Sequence, residues 1–156
     1  SKMFTKFFSI LFLGFSLIFF AQTGDDLVIG HWLATDNSVA VTVFKDNGEY
    51  RAKVLWFDDR LGSGVPMEKR RDTDNPDPKL RTRKIIGMEI LEGLKYDPRT
   101  NSWENGRIYD ATSGRHWDSS ATIKNDIMKV RGFWKFKWIG KSMSFRKINN
   151  LNFTKN

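Results

Sequence analysis

Cysteine is absent from this chain of 156 residues. Its absence excludes a disulfide, a thiolate metal site, a cysteine nucleophile and a lipid-modified cysteine. Histidine is nearly as scarce: His31 and His116 are the only two. They are far apart in sequence, so a histidine metal cluster has no support, and a catalytic triad would need a nucleophile that no motif supplies. No linker-like stretch and no long amphipathic helix interrupts the pattern, and one domain is expected. The chain has one long apolar run, Phe7 to Ala21, preceded by Lys2 and Lys6. That run suits the core of a signal peptide and is short for a membrane span. The expectation is a cleaved leader over residues 1–23, with the mature start between Gln22 and Gly24. A periplasmic or secreted domain of about 133 residues without an integral membrane span would follow.

The charge is basic, with 26 Lys and Arg against 18 Asp and Glu for a net +8. Loss of the two leader lysines leaves +6, a balance that favours anionic partners such as an envelope polymer or lipid headgroups. Nucleic acid is disfavoured by export.

Period-two patterning dominates after the leader. From Ile127 to Trp138 the even positions are Met128, Val130, Gly132, Trp134, Phe136 and Trp138, with Lys129, Arg131, Lys135 and Lys137 on odd ones. This is the signature of a strand with one buried face. Strands are also read at Ser38 to Lys45, Tyr50 to Phe57, Ile108 to Tyr109, Trp117 to Lys124 and Lys141 to Ile148. Turn chemistry separates them at Asp46-Asn47-Gly48, Asn105-Gly106, Ser113-Gly114 and Asn125-Asp126. Short strands at this spacing predict an all-β antiparallel meander over residues 24–148, closed into a barrel that removes the sheet edges, with a tail over 149–156.

The first strand opens Gly30-His31-Trp32 and the last ends Ser144-Phe145-Arg146-Lys147. A Gly-x-Trp opening with an arginine on the closing strand resembles the lipocalin and wider calycin barrels. That resemblance implies an indole at the closed end covered by the arginine, whereas parity turns Arg146 away from the side that Phe145 faces. The order of motifs is more specific. Asn47-Gly48-Glu49-Tyr50, Asp72-Thr73-Asp74-Asn75-Pro76-Asp77, Ile86-Gly87-Met88-Glu89, Gly106-Arg107-Ile108-Tyr109-Asp110 and Val130-Arg131-Gly132-Phe133 follow Gly30-His31-Trp32. In this order they resemble the bacterial secreted family called domain of unknown function 2147, over about Leu27 to Ile148. The resemblance implies a small exported domain and supplies no catalytic residues. Ala111 stands where a proline is usual in that family, and Trp117 where a tyrosine is.

The stretch Asp72 to Gly87 concentrates turn residues and charge. As a calcium loop it fails, because Pro76, Asp77 and Arg83 occupy the positions that need a ligand, a glycine and a bidentate glutamate. As structure it reads well. Asp77-Pro78-Lys79-Leu80 matches an N-cap with proline at the first helical position, so a short helical turn should begin there. Arg81 and Arg83 can pair with Asp72 or Asp74. Asp72, Asp74, Asn75, Asp77, Arg81 and Arg83 are therefore expected to form a lid in the long connection at one barrel end.

Six tryptophans are the richest remaining chemistry. Trp32, Trp56, Trp117 and Trp134, with Tyr109 and Asp110, are the candidate ligand-binding residues. Trp56 and Trp134 fall on inward parities together with Trp138. Indoles can line an apolar cavity and donate from fixed N–H groups, or they can simply fill a small barrel. Asp110 beside Tyr109 and near His116 could make a polar cluster, although Asp110 to Gly114 also reads as a hairpin turn. The expected function is an exported non-enzymatic barrel binding a small apolar or amphipathic molecule, with no cofactor and no metal. The alternative is a basic surface adaptor for anionic envelope polymer or lipid headgroups, using Lys129, Arg131, Lys135 and Lys137.

Overall fold

The computed structural model describes residues 24–137 and 140–149. The expected leader, Trp138 and most of the expected tail lie outside the described residues. Eight antiparallel strands close into a barrel in which each strand pairs with its sequence neighbour and the last returns to the first. They are β1 (Gly30–Ala34), β2 (Val39–Asp46), β3 (Glu49–Phe57), β4 (Glu89–Asp97), β5 (Ser102–Asp110), β6 (Arg115–Lys124), β7 (Ile127–Phe133) and β8 (Gly140–Ile148). Closure leaves no unpaired edge. The long connection, between β3 and β4, carries two short 3₁₀ turns, Met67–Lys69 and Pro78–Leu80.

Turn residues set the register at one end. Asn47 and Gly48 both take positive φ, as do Asn125 and Asp126, the geometry of two-residue turns whose twist matches that of the strands they join. Two expected features differ. Asn105-Gly106 is no turn: Asn105 has φ 62° inside β5, where the register shifts between Trp103 and Gly106. The extra residue makes a bulge and the strand runs on. β4, not read as a strand from the sequence, is interrupted at Gly93, with φ 75° and register shifts against β3, which scrambles its alternation.

The floor of the barrel is filled and tied. A 3₁₀ turn, Gly24–Val28, lies beneath the strands. Trp32 Nε1 donates to the Val28 carbonyl at 2.9 Å and Trp103 Nε1 donates to the Asp25 carbonyl at 2.9 Å. Tyr50 donates to Asp26 at 2.8 Å, and burial together with that acidic neighbour pushes the Tyr50 phenol up. Trp32, Tyr50, Leu94, Trp103, Met128 and Phe145 pack here as one core. Buried indoles with satisfied N–H groups contribute about 3–5 kcal/mol each relative to alanine.

The cation over the floor tryptophan is a lysine. Lys147 pairs with Trp32 across β1 and β8, and its Nζ stands 5.6 Å from the indole centroid. Arg146 lies opposite Leu33 and reaches Asn37 Oδ1 at 3.5 Å. The arginine implied by the Gly-x-Trp resemblance is thus replaced by its neighbour, because alternation puts residue 147 on the side of Trp32. Gly30 explains the rest of the motif. A Cβ there would meet Lys147 Cε at 2.8 Å, and its φ of 136° suits glycine. The lysine stem passes through the space that the missing side chain leaves.

Candidate functional site

Directly opposed residues in antiparallel strands share a face, so the pairing register defines the interior. On β7 and β8 the inward pairs climb from floor to mouth as Met128 with Phe145, Val130 with Met143, and Gly132 with Lys141. Exposure climbs with them: 2% and 5%, then 8% and 41%, then half-buried Gly132 and exposed Lys141. On β5 and β6 the inward pairs are Gly106 with Ser119 and Ile108 with Trp117, buried below and half-buried above. A Cβ built on Gly132 would meet only Ile108 Cγ2 at 3.5 Å and Trp117 Cβ at 3.7 Å. Glycine at 132 therefore lets Ile108 and Trp117 pack close to the β7 backbone, at ordinary van der Waals distance from where a Cβ would stand. The inward positions above the filled floor are thus Ile108, Trp117, Val130, Gly132 and Met143, a layer that becomes less buried toward the mouth and that we term the cup. Ser119 is buried in its wall, and among the described residues its hydroxyl has no hydrogen-bond partner.

The candidate residues read from sequence do not converge on this cup. Trp117 lies in its wall, while Trp32 is sealed in the floor. Trp56 is turned out by a register shift between Ala40 and Val41: it pairs with Ala40, in the row of Leu33, while Val41 pairs with Val54 and Trp32 on the other face. A one-residue bulge thus reverses the inward parity expected of Trp56. Trp134 lies beyond the end of β7 and is 57% exposed.

Tyr109 and His116 form one pair, with ring centroids 4.9 Å apart. They alternate with the inward pair Ile108 and Trp117 and so occupy the outer wall. Asp110 faces neither of them. Its carboxylate accepts from Thr112 N at 2.9 Å, Thr112 Oγ1 at 2.6 Å and Ser113 Oγ at 2.8 Å, the hairpin-turn role. Burial raises the Asp110 carboxyl, and these donors outweigh it and hold the group below its ordinary value. Partial burial, followed by the charge of Arg107, lowers His116.

The Asp72 stretch fastens onto that outer wall. Asp72 is fully buried and accepts from Tyr109 Oη at 2.7 Å, Asn75 Nδ2 at 2.8 Å and Arg83 Nη2 at 3.0 Å. Burial would raise the carboxyl; the three donors and the Arg83 charge win and hold it below its usual range. Arg81 donates to the Asn75 carbonyl at 2.8 Å. Asp77 caps the turn Pro78–Leu80 by accepting from Lys79 N at 3.0 Å. Asp74 contributes backbone, since a Cβ on Gly114 would stand 2.1 Å from its carbonyl oxygen. The expected lid is therefore a brace that locks the long connection against the β5–β6 hairpin from outside.

Among the described residues no group of three or more acidic or histidine side chains could hold a metal ion. His31 on the outer face is engaged with Thr42 at 2.6 Å. A cleft of about 580 Å³ lies beside β5 and β6 and shares Gly106 and Ser119 with the barrel wall, with Glu104, Asp118, Phe133, Phe136 and Lys137 among its other residues. Sequence reading missed Gly132 and Met143. The alternation of Met143 with Phe145 held the signal, but it shows the mouth only once the floor is known.

Residues 30–147 match the model of a family described as an uncharacterized protein conserved in bacteria, DUF2147. Among solved structures, protein HP1028 from Helicobacter pylori, described as belonging to the lipocalin family, is similar with a TM-score of 0.65. It is 19% identical, and the match covers 79% of this chain and 84% of that one. The likeness is one of fold. No curated protein matches the chain.

Proposed function

The chain belongs to the family DUF2147, and from that family and its lipocalin-like barrel we propose a binding protein for a small apolar or amphipathic molecule, held in the cup at the barrel mouth. The observation that carries this reading is the climb in exposure along β7 and β8. Inward side chains are buried at Met128 and Phe145 and open at Met143. A barrel evolved only for packing would fill the upper layer with large side chains, as it fills the floor. Here that layer holds half-buried Ile108 and Trp117 beside Gly132 and a flexible, exposed methionine, which adapts to varied apolar shapes. Trp117 offers a stacking surface, and the buried Ser119 hydroxyl offers one polar anchor. The cup contains no nucleophile paired with a base, so the proposal is binding rather than turnover. Export by the segment 1–23 belongs to the same proposal, since a molecule poorly soluble in water needs a carrier in an aqueous compartment.

The test uses N-phenyl-1-naphthylamine, an apolar fluorophore that accepts excitation from tryptophan. Wild type should give saturable enhancement with energy transfer that weakens in Trp117→Phe. Gly132→Leu, which fills the cup without backbone strain, should abolish the enhancement while leaving the melting temperature near wild type. Equal binding by Gly132→Leu would place the site elsewhere and overturn the proposal.

A further inference from the structure

Eight large apolar side chains are exposed among the described residues, and their distribution is lopsided. Only Leu27 and Ile127 belong to the floor end; Leu61, Val65, Leu80, Trp134, Phe136 and Met143 belong to the loops and strand ends of the mouth. The most exposed are Trp134 at 57% and Phe136 at 56%, both just past β7. Between them Lys135 takes φ 64°, and Phe136 N donates to the Trp134 carbonyl at 2.8 Å. A hydrogen bond from residue i+2 to residue i around a positive-φ lysine is a strained γ-turn. Trp134 and Phe136 thus stay more than half exposed on either side of a backbone conformation that is itself unfavourable, and Phe136 also borders the cleft beside β5 and β6.

The charge around them has one dominant sign. Lys135 Nζ stands 4.5 Å over the Trp134 ring. Lys141 is exposed at the start of β8, and Lys137, itself exposed, is ion-paired with Glu104 at 2.6 Å. An indole carrying an ammonium on its face matches the layer of a bilayer where aromatic rings meet headgroups, and lysine beside it matches anionic phosphate. A soluble anionic polymer would use the lysines alone and draw nothing from the exposed faces of Trp134 and Phe136.

We propose that the tip Trp134 to Lys137, with Lys141, docks the barrel mouth onto a bilayer surface bearing anionic headgroups. The protein rests on the membrane and does not cross it with this barrel, because the outer wall presents Lys53, Glu92, Arg107 and Lys129 where a spanning barrel has an apolar band. Docking turns the mouth toward the lipid. It stands independently of what the cup holds.

Co-sedimentation with vesicles of mixed phosphatidylglycerol and phosphatidylcholine, against phosphatidylcholine alone, tests it. Wild type should pellet with the anionic vesicles, with a blue shift in tryptophan emission. Trp134→Ala with Phe136→Ala should abolish pelleting. Lys135→Gln with Lys141→Gln should weaken it by about thirtyfold, from the attraction expected of two lysines near a charged surface. Trp134→Phe should keep pelleting and lose the blue shift, which assigns the buried indole. Gly132→Leu, the cup-filling variant, should pellet like wild type, so docking and cup binding fail or succeed separately. Failure of wild type to pellet overturns the proposal. Pelleting retained by the double alanine variant also overturns it and points to a purely electrostatic surface that a soluble polyanion would compete for.

Discussion

Tyr109 donates a 2.7 Å hydrogen bond to Asp72, a carboxylate with no exposed surface that lies 37 positions earlier in the chain. This bond joins the long β3–β4 connection to the barrel wall. Asp72→Ala would leave the buried Tyr109 hydroxyl without its acceptor and the Arg83 guanidinium, 39% exposed, to water, a loss of about 1–3 kcal/mol. Asp74→Ala removes only an exposed side chain and should stay within about 0.5 kcal/mol of wild type. Urea titration of the two single variants checks the difference.

The same bond makes stability depend on pH at both extremes. Burial, then the Asp72 hydrogen bond and charge, push the Tyr109 phenol up to about 12 from 10. Its raised value means that its contribution is full below pH 10 and is lost between pH 10 and about 12. Asp72 is depressed, so its contribution is full above about pH 4 and is lost as pH falls through its native value. Tyr109→Phe should flatten the alkaline limb by on the order of 2 kcal/mol. Tyr50, shifted in the same direction, keeps the rest of that limb. Chemical denaturation from pH 3 to 12 reads both arms.

Gly114 and Gly87 separate backbone strain from collision. Both have positive φ, but a Cβ at Gly87 meets nothing within 4 Å whereas one at Gly114 stands 2.1 Å from the Asp74 carbonyl oxygen. Gly87→Ala should cost about 1–2 kcal/mol, the penalty of a left-handed alanine. Gly114→Ala should cost more and should loosen the brace, seen as faster amide exchange at Asn75 and Asp77.

Lys147 over Trp32 should contribute about 0.5–2 kcal/mol. Lys147→Met keeps the stem and removes the charge, and a drop of that size in thermal unfolding is expected. Arg146→Met should be nearly silent, since its guanidinium is exposed and lies 3.5 Å from Asn37.

Ser119→Ala removes a buried hydroxyl with no partner among the described residues, so the ligand-free protein should gain up to about 1 kcal/mol. If that hydroxyl anchors a ligand, the variant gains stability and loses affinity together. Thermal shift with and without N-phenyl-1-naphthylamine separates the two.

Much of this architecture is legible in the sequence, and its gaps share one cause. β2, β6 and β8 alternate cleanly and stand out. β4 does not, because Gly93 and two register shifts interrupt its period. The same physics misdirects Trp56, whose inward parity holds only until the shift between Ala40 and Val41. Alternation counts residues, and a bulge adds one that the count cannot see. The Asp77 cap was readable because capping is local. The Asp72 to Tyr109 bond was not, since nothing in the sequence places a tyrosine of β5 against a loop two strands away. The cup itself depends on which layer is left unfilled, a property of the closed barrel and not of any strand.

Among the described residues, the indole bonds from Trp32 and Trp103 to the turn beneath them tie that turn across one end of the barrel. On the proposed function, a molecule held above that plug would leave by the end it entered, as from a dead-end vessel. Its residence time would be governed by side chains at the rim, Met143 foremost. Exchange would speed up or slow down with whatever that rim is pressed against.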